Sequence, residues 1–264
     1  RLAGVLRLTP TAVEFEGARF TWREFAARVN RAANALTGLG VTKGDVLALV
    51  VPNCLELLEL YWAAAQTGIV IVPLSPLLRG TGLLALLRDS GATAVIASVE
   101  MIPVLEEIRG DLPAIADGRW ILTDAPDTPD ATPYRHYRDY GNLVAAAADE
   151  APAAALDRDD PYNIIYSSGT TGLPKGIVHT HLIRATYCTT FASAFRMTPE
   201  SVVMHAGSLI FNGAFVTLLP AFFLGARYIL MARFDASAFL DTVRRQRVSH
   251  VMMVPSQIAA ILDS

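Results

Sequence analysis

Residues 166–176 read Tyr-Ser-Ser-Gly-Thr-Thr-Gly-Leu-Pro-Lys-Gly, a run of hydroxyls, glycines and one ammonium set behind the apolar pair Ile164-Ile165. Gly169, Gly172 and Gly176 permit positive φ and let backbone N–H groups approach one anion without Cβ interference. Ser167, Ser168, Thr170, Thr171 and Lys175 surround those amides. Converging neutral donors with one mobile cation suit a polyphosphate, whose charge is spread over many oxygens. A polar turn between two strands is the competing reading, because Gly, Ser, Thr and Pro are ordinary turn residues.

The P-loop pattern GxxxxGK[ST] does not fit. Counted from Gly169, Pro174 takes the second glycine's place and Gly176 takes that of the Ser/Thr. Pro174 also disfavours helical backbone at Leu173, so the next helix is expected only after Thr180, as its cap.

The elements that would hold this loop alternate along the chain. Thr21-Trp22-Arg23-Glu24 reads as a capping box, followed by Trp22, Phe25, Ala26, Val29, Ala33 and Leu36 at helical spacing until Gly38 and Gly40. Strands are predicted at 46–51, 69–74 and 94–98, with helices at 54–66 and 83–88. Continuously apolar short strands between helices indicate a parallel sheet covered on both faces. Residues 123–160 dissolve into Pro, Asp and Ala and read as a connection. After Pro161 the alternation resumes through NIIYS, a helix at 181–195, VVMHA, a helix at 214–224, RYILM, a helix capped by Asp235, and HVMMVP. The expectation is α/β throughout: a first subdomain over 1–160, with its linker near 124–160, and a second over 161–264 that carries the loop.

Composition narrows the partners. Lys plus Arg number 22 against 25 Asp plus Glu, so no global field gathers nucleic acid. The cluster Tyr134 to Tyr140, YRHYRDY, interleaves aromatics with arginines and is read as a solvated loop in preference to a single-strand platform. Two distant cysteines, Cys54 and Cys188, fit a reducing, cytoplasmic setting, and no secretory signal is visible. Mean hydropathy of +0.36 and the apolar run 209–231 raise a membrane question. Asn212, Pro220, Gly225 and Arg227 break that run, which favours helix-turn-strand over a transmembrane segment.

YSSGTTGLPKGIVHTH resembles the signature loop of the AMP-forming adenylating enzymes: acyl-CoA synthetases, adenylation domains of peptide synthetases, and luciferases. FTWREFAARVNRAANALTGLGVTKGDVLALVVPN, AAAQTGIVIVPLSPLLRGTGLLALLRDSGA and FLGARYILMARFDASAFLDTVRRQRVSHVMMVPSQ follow the same family order, so the likeness covers nearly the whole chain. It implies the fold of the large N-terminal domain of acyl-CoA synthetases, two βαβ-type sheets packed with helices, incomplete at the C-terminus. It also implies a reaction in which a carboxylate attacks the α-phosphorus of ATP, releasing pyrophosphate, after which a thiol displaces AMP. ATP, Mg2+ and coenzyme A are the implied cofactors. By the same resemblance Ser167, Ser168, Gly169, Thr170, Thr171, Gly172 and Lys175 line the phosphate site. Thr171 would sit near Mg2+, and Lys175 would pair with phosphate oxygens; these two are the candidate catalytic residues. A homodimer is a possible assembly.

The family's acid-binding segment aligns with Phe211, Asn212 and Gly213, the candidate substrate-binding residues. Amino-acid-activating relatives carry aspartate where Asn212 stands, and an amide cannot neutralise a buried ammonium. Amino acid substrates are therefore disfavoured, and the apolar vicinity points to a fatty, alicyclic or aromatic acid. Asn212 has two open roles, bonding a ring substituent or satisfying backbone groups in the core. Gly207 to Ile210 replace the proline, bulky residue, aromatic and histidine that many acyl- and aryl-CoA synthetases carry, so the usual histidine is absent at Ile210.

His179 and His181 share a face in extended structure but lack a third ligand, and His205 and His250 are expected to be hydrogen-bonded structural histidines. Nothing would depress the thiol pKa of Cys54 or Cys188. The family's later motifs and its lid domain are not in this sequence, and these residues alone are expected to be inactive. Three functions stay open: an acyl- or aryl-CoA synthetase, an adenylation domain that loads a carrier protein with a non-amino acid, and a non-catalytic phosphate-binding module.

Overall fold

The computed structural model describes residues 11–124, 134–167 and 174–263. The first half contains β1 (Thr11–Phe15), β2 (Ala18–Thr21), α1 (Trp22–Gly38), β3 (Val46–Val50), α2 (Leu55–Thr67), β4 (Val70–Pro73), α3 (Gly80–Asp89), β5 (Ala94–Ala97), α4 (Ile102–Ile108) and β6 (Trp120–Leu122). Then come β7 (Arg138–Asp139), α5 (Tyr140–Ala145), β8 (Pro161–Ser167), β9 (Lys175–Thr180), α6 (His181–Ala194), β10 (Val202–His205), α7 (Asn212–Leu224), β11 (Arg227–Leu230), α8 (Ala236–Gln246), β12 (His250–Met252) and α9 (Pro255–Leu262). The chain forms two compact units. One takes the chain up to Ala26, residues 53–55 and everything from Leu182, and the other takes residues 27–52 and 56–181.

In the unit of residues 27–52 and 56–181 a seven-stranded sheet runs β7-β6-β5-β3-β4-β8-β9. All its pairs are parallel except β8 with β9. The central strands β3, β4 and β5 are buried nearly along their whole length, as their unbroken apolar sequences require for a sheet covered on both faces. Leu83, Leu87, Leu105 and Ile108 from α3 and α4 pack with Val50, Val72, Val95 and Trp120 into its core.

The other unit holds a five-stranded sheet, β12-β10-β11-β1-β2, in which only β2 is antiparallel to its neighbour. The capping box is present: Glu24 N–H donates to Thr21 Oγ1 at 3.2 Å and Thr21 N–H donates to Glu24 Oε2 at 2.8 Å. Phe222 of α7 meets the rings of Trp22, Phe25 and Tyr228 at centroid distances of 5.4, 5.5 and 5.6 Å. Asp235 caps α8 by accepting from Ala238 N–H at 2.8 Å.

Four expectations change. Pro220 lies inside α7 and does not break it; Gly225, left-handed at φ 73°, ends the helix instead. The expected boundary at 160/161 is not a change of sheet, because β8 pairs with β4 through Ile71 and Asn163. Residues 175–180 form a strand, β9, that the glycine-containing sequence concealed. The stretch expected to be a plain connection contains β7 and α5, and its Tyr140 is buried where its hydroxyl donates to Glu59 Oε2 at 2.9 Å. Among the described residues no helix is long and apolar enough to cross a membrane.

Candidate functional site

The glycine- and hydroxyl-rich segment joins β8 to β9. Ser168, Gly169, Thr170, Thr171 and Gly172 lie outside the described residues; Ser167 and Lys175 lie within them. The two strands run in register from Ile164 opposite Val178 to Ser167 opposite Lys175. Because β8 is parallel to β4, the segment leaves the sheet at the carboxyl ends of the parallel strands, where ligands gather in open α/β sheets. Both Ser167 and Lys175 are exposed, and Lys175 makes no ion pair among the described residues. A hydroxyl and an ammonium on facing strand ends form a donor set that fits phosphate oxygens.

Tyr166 anchors this strand end. Its hydroxyl donates to Asp89 Oδ2 at 2.5 Å, and burial, followed by that carboxylate, raises the phenol's pKa. Gly176 sits opposite Tyr166, and a Cβ there would stand 2.9 Å from Ile164 Cγ2 and 3.2 Å from the Tyr166 ring. Gly176 is not among the residues of positive φ. Its reason is therefore the Ile164 and Tyr166 side chains packed against it, which corrects the conformational role expected from sequence. Tyr162 is held likewise, its hydroxyl donating to the Tyr61 carbonyl at 3.0 Å.

The segment expected from sequence to bind the acid lies in the other unit, from the end of β10 into α7. Asn53 fixes its course: Nδ2 donates to the carbonyls of Gly207 at 2.6 Å and Met231 at 3.0 Å, and Oδ1 accepts from Leu209 N–H at 2.9 Å. Sequence reasoning missed Asn53, although an amide two residues after the buried run Val46 to Val51 was a signal. Phe211, 58% exposed, precedes α7, and Asn212 begins the helix.

The carboxamide of Asn212 is engaged on both sides. Its Oδ1 accepts from Arg184 Nη1 at 2.9 Å and its Nδ2 donates to the Tyr187 hydroxyl at 3.3 Å. Neither of the two roles left open for Asn212 describes these side-chain partners. Arg184 is only 4% exposed, with Cζ 4.1 Å from the Phe215 ring centroid and 5.0 Å from that of Tyr187. Arg184 and Tyr187 stand three residues apart on α6 and so share a face. Gly213 allows β12 to approach α7, since a Cβ there would collide with the Met252 thioether.

The histidines divide. His250 behaves as expected, with Nε2 3.0 Å from the Phe195 carbonyl and Nδ1 2.8 Å from Ser249 Oγ. His205 does not: it is buried, and neither ring nitrogen has a hydrogen bond of standard geometry among the described residues. Burial pushes its pKa down to about 4, with the backbone of Ser208 and Gly207 pulling weakly the other way. His179 lies on β9, whereas His181 opens α6 with its ring edge-on to Tyr162 at 5.5 Å. Burial likewise raises the Cys188 thiol. Of the YRHYRDY cluster, Tyr137 donates to Glu106 Oε1 at 2.7 Å and Tyr140 to Glu59, so these tyrosines serve packing.

Residues 7–264 match the sequence profile of the family described as AMP-binding enzyme. The long-chain-fatty-acid–CoA ligase FadD13 of Mycobacterium tuberculosis is 34% identical over 238 residues, 90% of this chain and 45% of the ligase. A feruloyl-CoA synthase from Amycolatopsis sp is 33% identical over 263 residues, 97% of this chain and 48% of the synthase. The solved structure of the anthranilate CoA ligase AuaEII, in complex with anthranoyl-AMP, superposes with a TM-score of 0.86 at 26% identity, covering 96% of this chain and 48% of that one. The chain thus spans about half the length of the curated relatives it matches.

Proposed function

Because this chain belongs to the family of AMP-binding enzymes, we propose that it supplies the phosphate loop and the acyl-binding segment of an ATP-dependent acid–thiol ligase. The substrate is an apolar carboxylic acid, fatty, alicyclic or aromatic. Its carboxylate oxygen bonds to the α-phosphorus of ATP as the bond to pyrophosphate breaks; the CoA thiol, losing its proton, then takes the acyl group and AMP departs. A carboxylate resists a thiol until its oxygen becomes a good leaving group, which is the reason for adenylation.

The observation that carries this reading is the pairing of Ser167 with Lys175 at the carboxyl end of the parallel strands, which closes a loop of hydroxyls and glycines. In this proposal the amides and hydroxyls of Ser167, Ser168, Gly169, Thr170, Thr171 and Gly172 hold the β- and γ-phosphates. Lys175 pairs with their oxygens, stabilising charge as pyrophosphate separates. Thr171 would help to hold Mg2+, which when bound would offset phosphate charge. Phe211, Asn212 and Gly213 form part of the acyl wall. Cys54 and Cys188 are not joined in a disulfide, which supports a cytoplasmic location.

The test is acid-dependent ATP–pyrophosphate exchange by the full-length protein, followed by transfer to CoA or to a phosphopantetheinylated carrier. Exchange with apolar acids and transfer to CoA is the expected result. Exchange with no carboxylic acid would remove the proposal, and transfer to a carrier alone would reassign the acceptor.

A further inference from the structure

Arg184 is a buried cation in contact with the residue proposed to stand at the acyl group. A guanidinium keeps its charge at every physiological pH, so position 212 faces positive charge whichever side chain stands there. Its contacts include the 2.9 Å bond to Asn212 Oδ1 and the faces of Phe215 and Tyr187. The carbonyl oxygen of the Asn212 side chain thus already faces a fixed positive charge.

We propose that Arg184 is a specificity-determining residue: by holding a buried positive charge against side chain 212 it refuses acids that bear an α-ammonium group and admits acids without one. This rests on the reading that Asn212 lies at the acyl wall. The geometry gives it a consequence that the identity of residue 212 alone does not. A carboxylate introduced at 212 would meet the guanidinium at hydrogen-bond distance and form a charge-assisted pair with it. Asn212→Asp therefore leaves the refusal of amino acids in place, because the guanidinium neutralises the new carboxylate, and only its simultaneous removal leaves a negative charge for a substrate ammonium.

The experiment compares 3-phenylpropanoate with phenylalanine, and 4-methylpentanoate with leucine, pairs that differ only in the α-ammonium. Acid-dependent pyrophosphate exchange is measured for full-length wild type, Asn212→Asp and Asn212→Asp/Arg184→Leu. Wild type and the single variant are expected to favour the ammonium-free acid equally. The double variant should narrow that preference about tenfold or more, the scale of one hydrogen bond to a charged group. Asn212→Asp/Arg184→Gln, which keeps hydrogen-bonding capacity without charge, should narrow it too and stands in where the leucine variant does not fold. The proposal is overturned if Asn212→Asp alone narrows the preference as much as the double variants. It is also overturned if both double variants melt as wild type does and leave the preference unchanged. Exchange by wild type with none of the acids would instead remove the parent reading of the site, and this proposal with it.

Discussion

Ser167 and Lys175 face each other across the antiparallel pair of β8 and β9, so the ammonium is carried on a strand end and not on a free loop. Lys175→Ala removes an exposed side chain, and surface changes of this kind alter stability by about 0.5 kcal/mol or less. Affinity of the full-length protein for ATP and pyrophosphate should fall about ten- to hundredfold, the value of a charged hydrogen bond. Calorimetric titration and a melting curve check both halves, and unfolding of the variant would support the reading of the segment as a structural turn.

Gly176→Ala drives a methyl into Ile164 and the Tyr166 ring. The expected cost is about 1–3 kcal/mol, typical of overpacking. Because Tyr166 must shift from Asp89, nucleotide affinity should fall along with stability, unlike in Lys175→Ala. Urea denaturation with ATP titration on the same preparation separates the two patterns.

Arg28 Nε donates to Glu59 Oε1 at 2.5 Å, and Glu59 is fully buried. Burial raises the pKa of this carboxyl, with Arg28 and then Tyr140 opposing the rise. Arg28→Met should cost about 3–5 kcal/mol at neutral pH, as expected when a buried charge loses its partner. A folded-state pKa above the unfolded one means that stability declines as pH rises through the carboxyl range, and loss of Arg28 widens that window. The variant's deficit in chemical denaturation should therefore be smaller at pH 5 than at pH 8.

His205 gives the opposite dependence. Its folded-state pKa of about 4 lies below the unfolded value of 6.5, so the unfolded chain binds the extra proton between them. Its contribution is fully present above pH 6.5 and is lost as pH falls toward 4, on the order of 3 kcal/mol in all. The difference between wild type and His205→Leu in denaturation midpoint, followed from pH 7 to pH 4.5, should isolate this slope; parallel curves would contradict it.

Local signals were legible where one residue type has one physical use. The Thr21–Glu24 box, the Asp235 cap and the unbroken apolar runs of β3 to β5 all sit where their sequences place them. The hydroxyl and glycine segment suggested a phosphate site from its composition, yet Gly176 owes its identity to Ile164 and Tyr166, neighbours known only once β8 and β9 are in register. Buried polar side chains were illegible for the same reason. Arg184, Asn53 and Glu59 acquire meaning from partners 28, 154 and 31 residues away, at Asn212, Gly207 and Arg28 respectively. No local periodicity encodes such pairs.

The parallel match of Val13 with Tyr228 sets an order on biosynthesis. A growing chain can assemble most of the seven-stranded sheet while β1 has yet to meet its parallel partner β11, and closing so long a loop is slow. Until Leu230 leaves the ribosome, the apolar Ala12 and Val13 lack the parallel neighbour that covers them in the fold and stay open to other nascent chains.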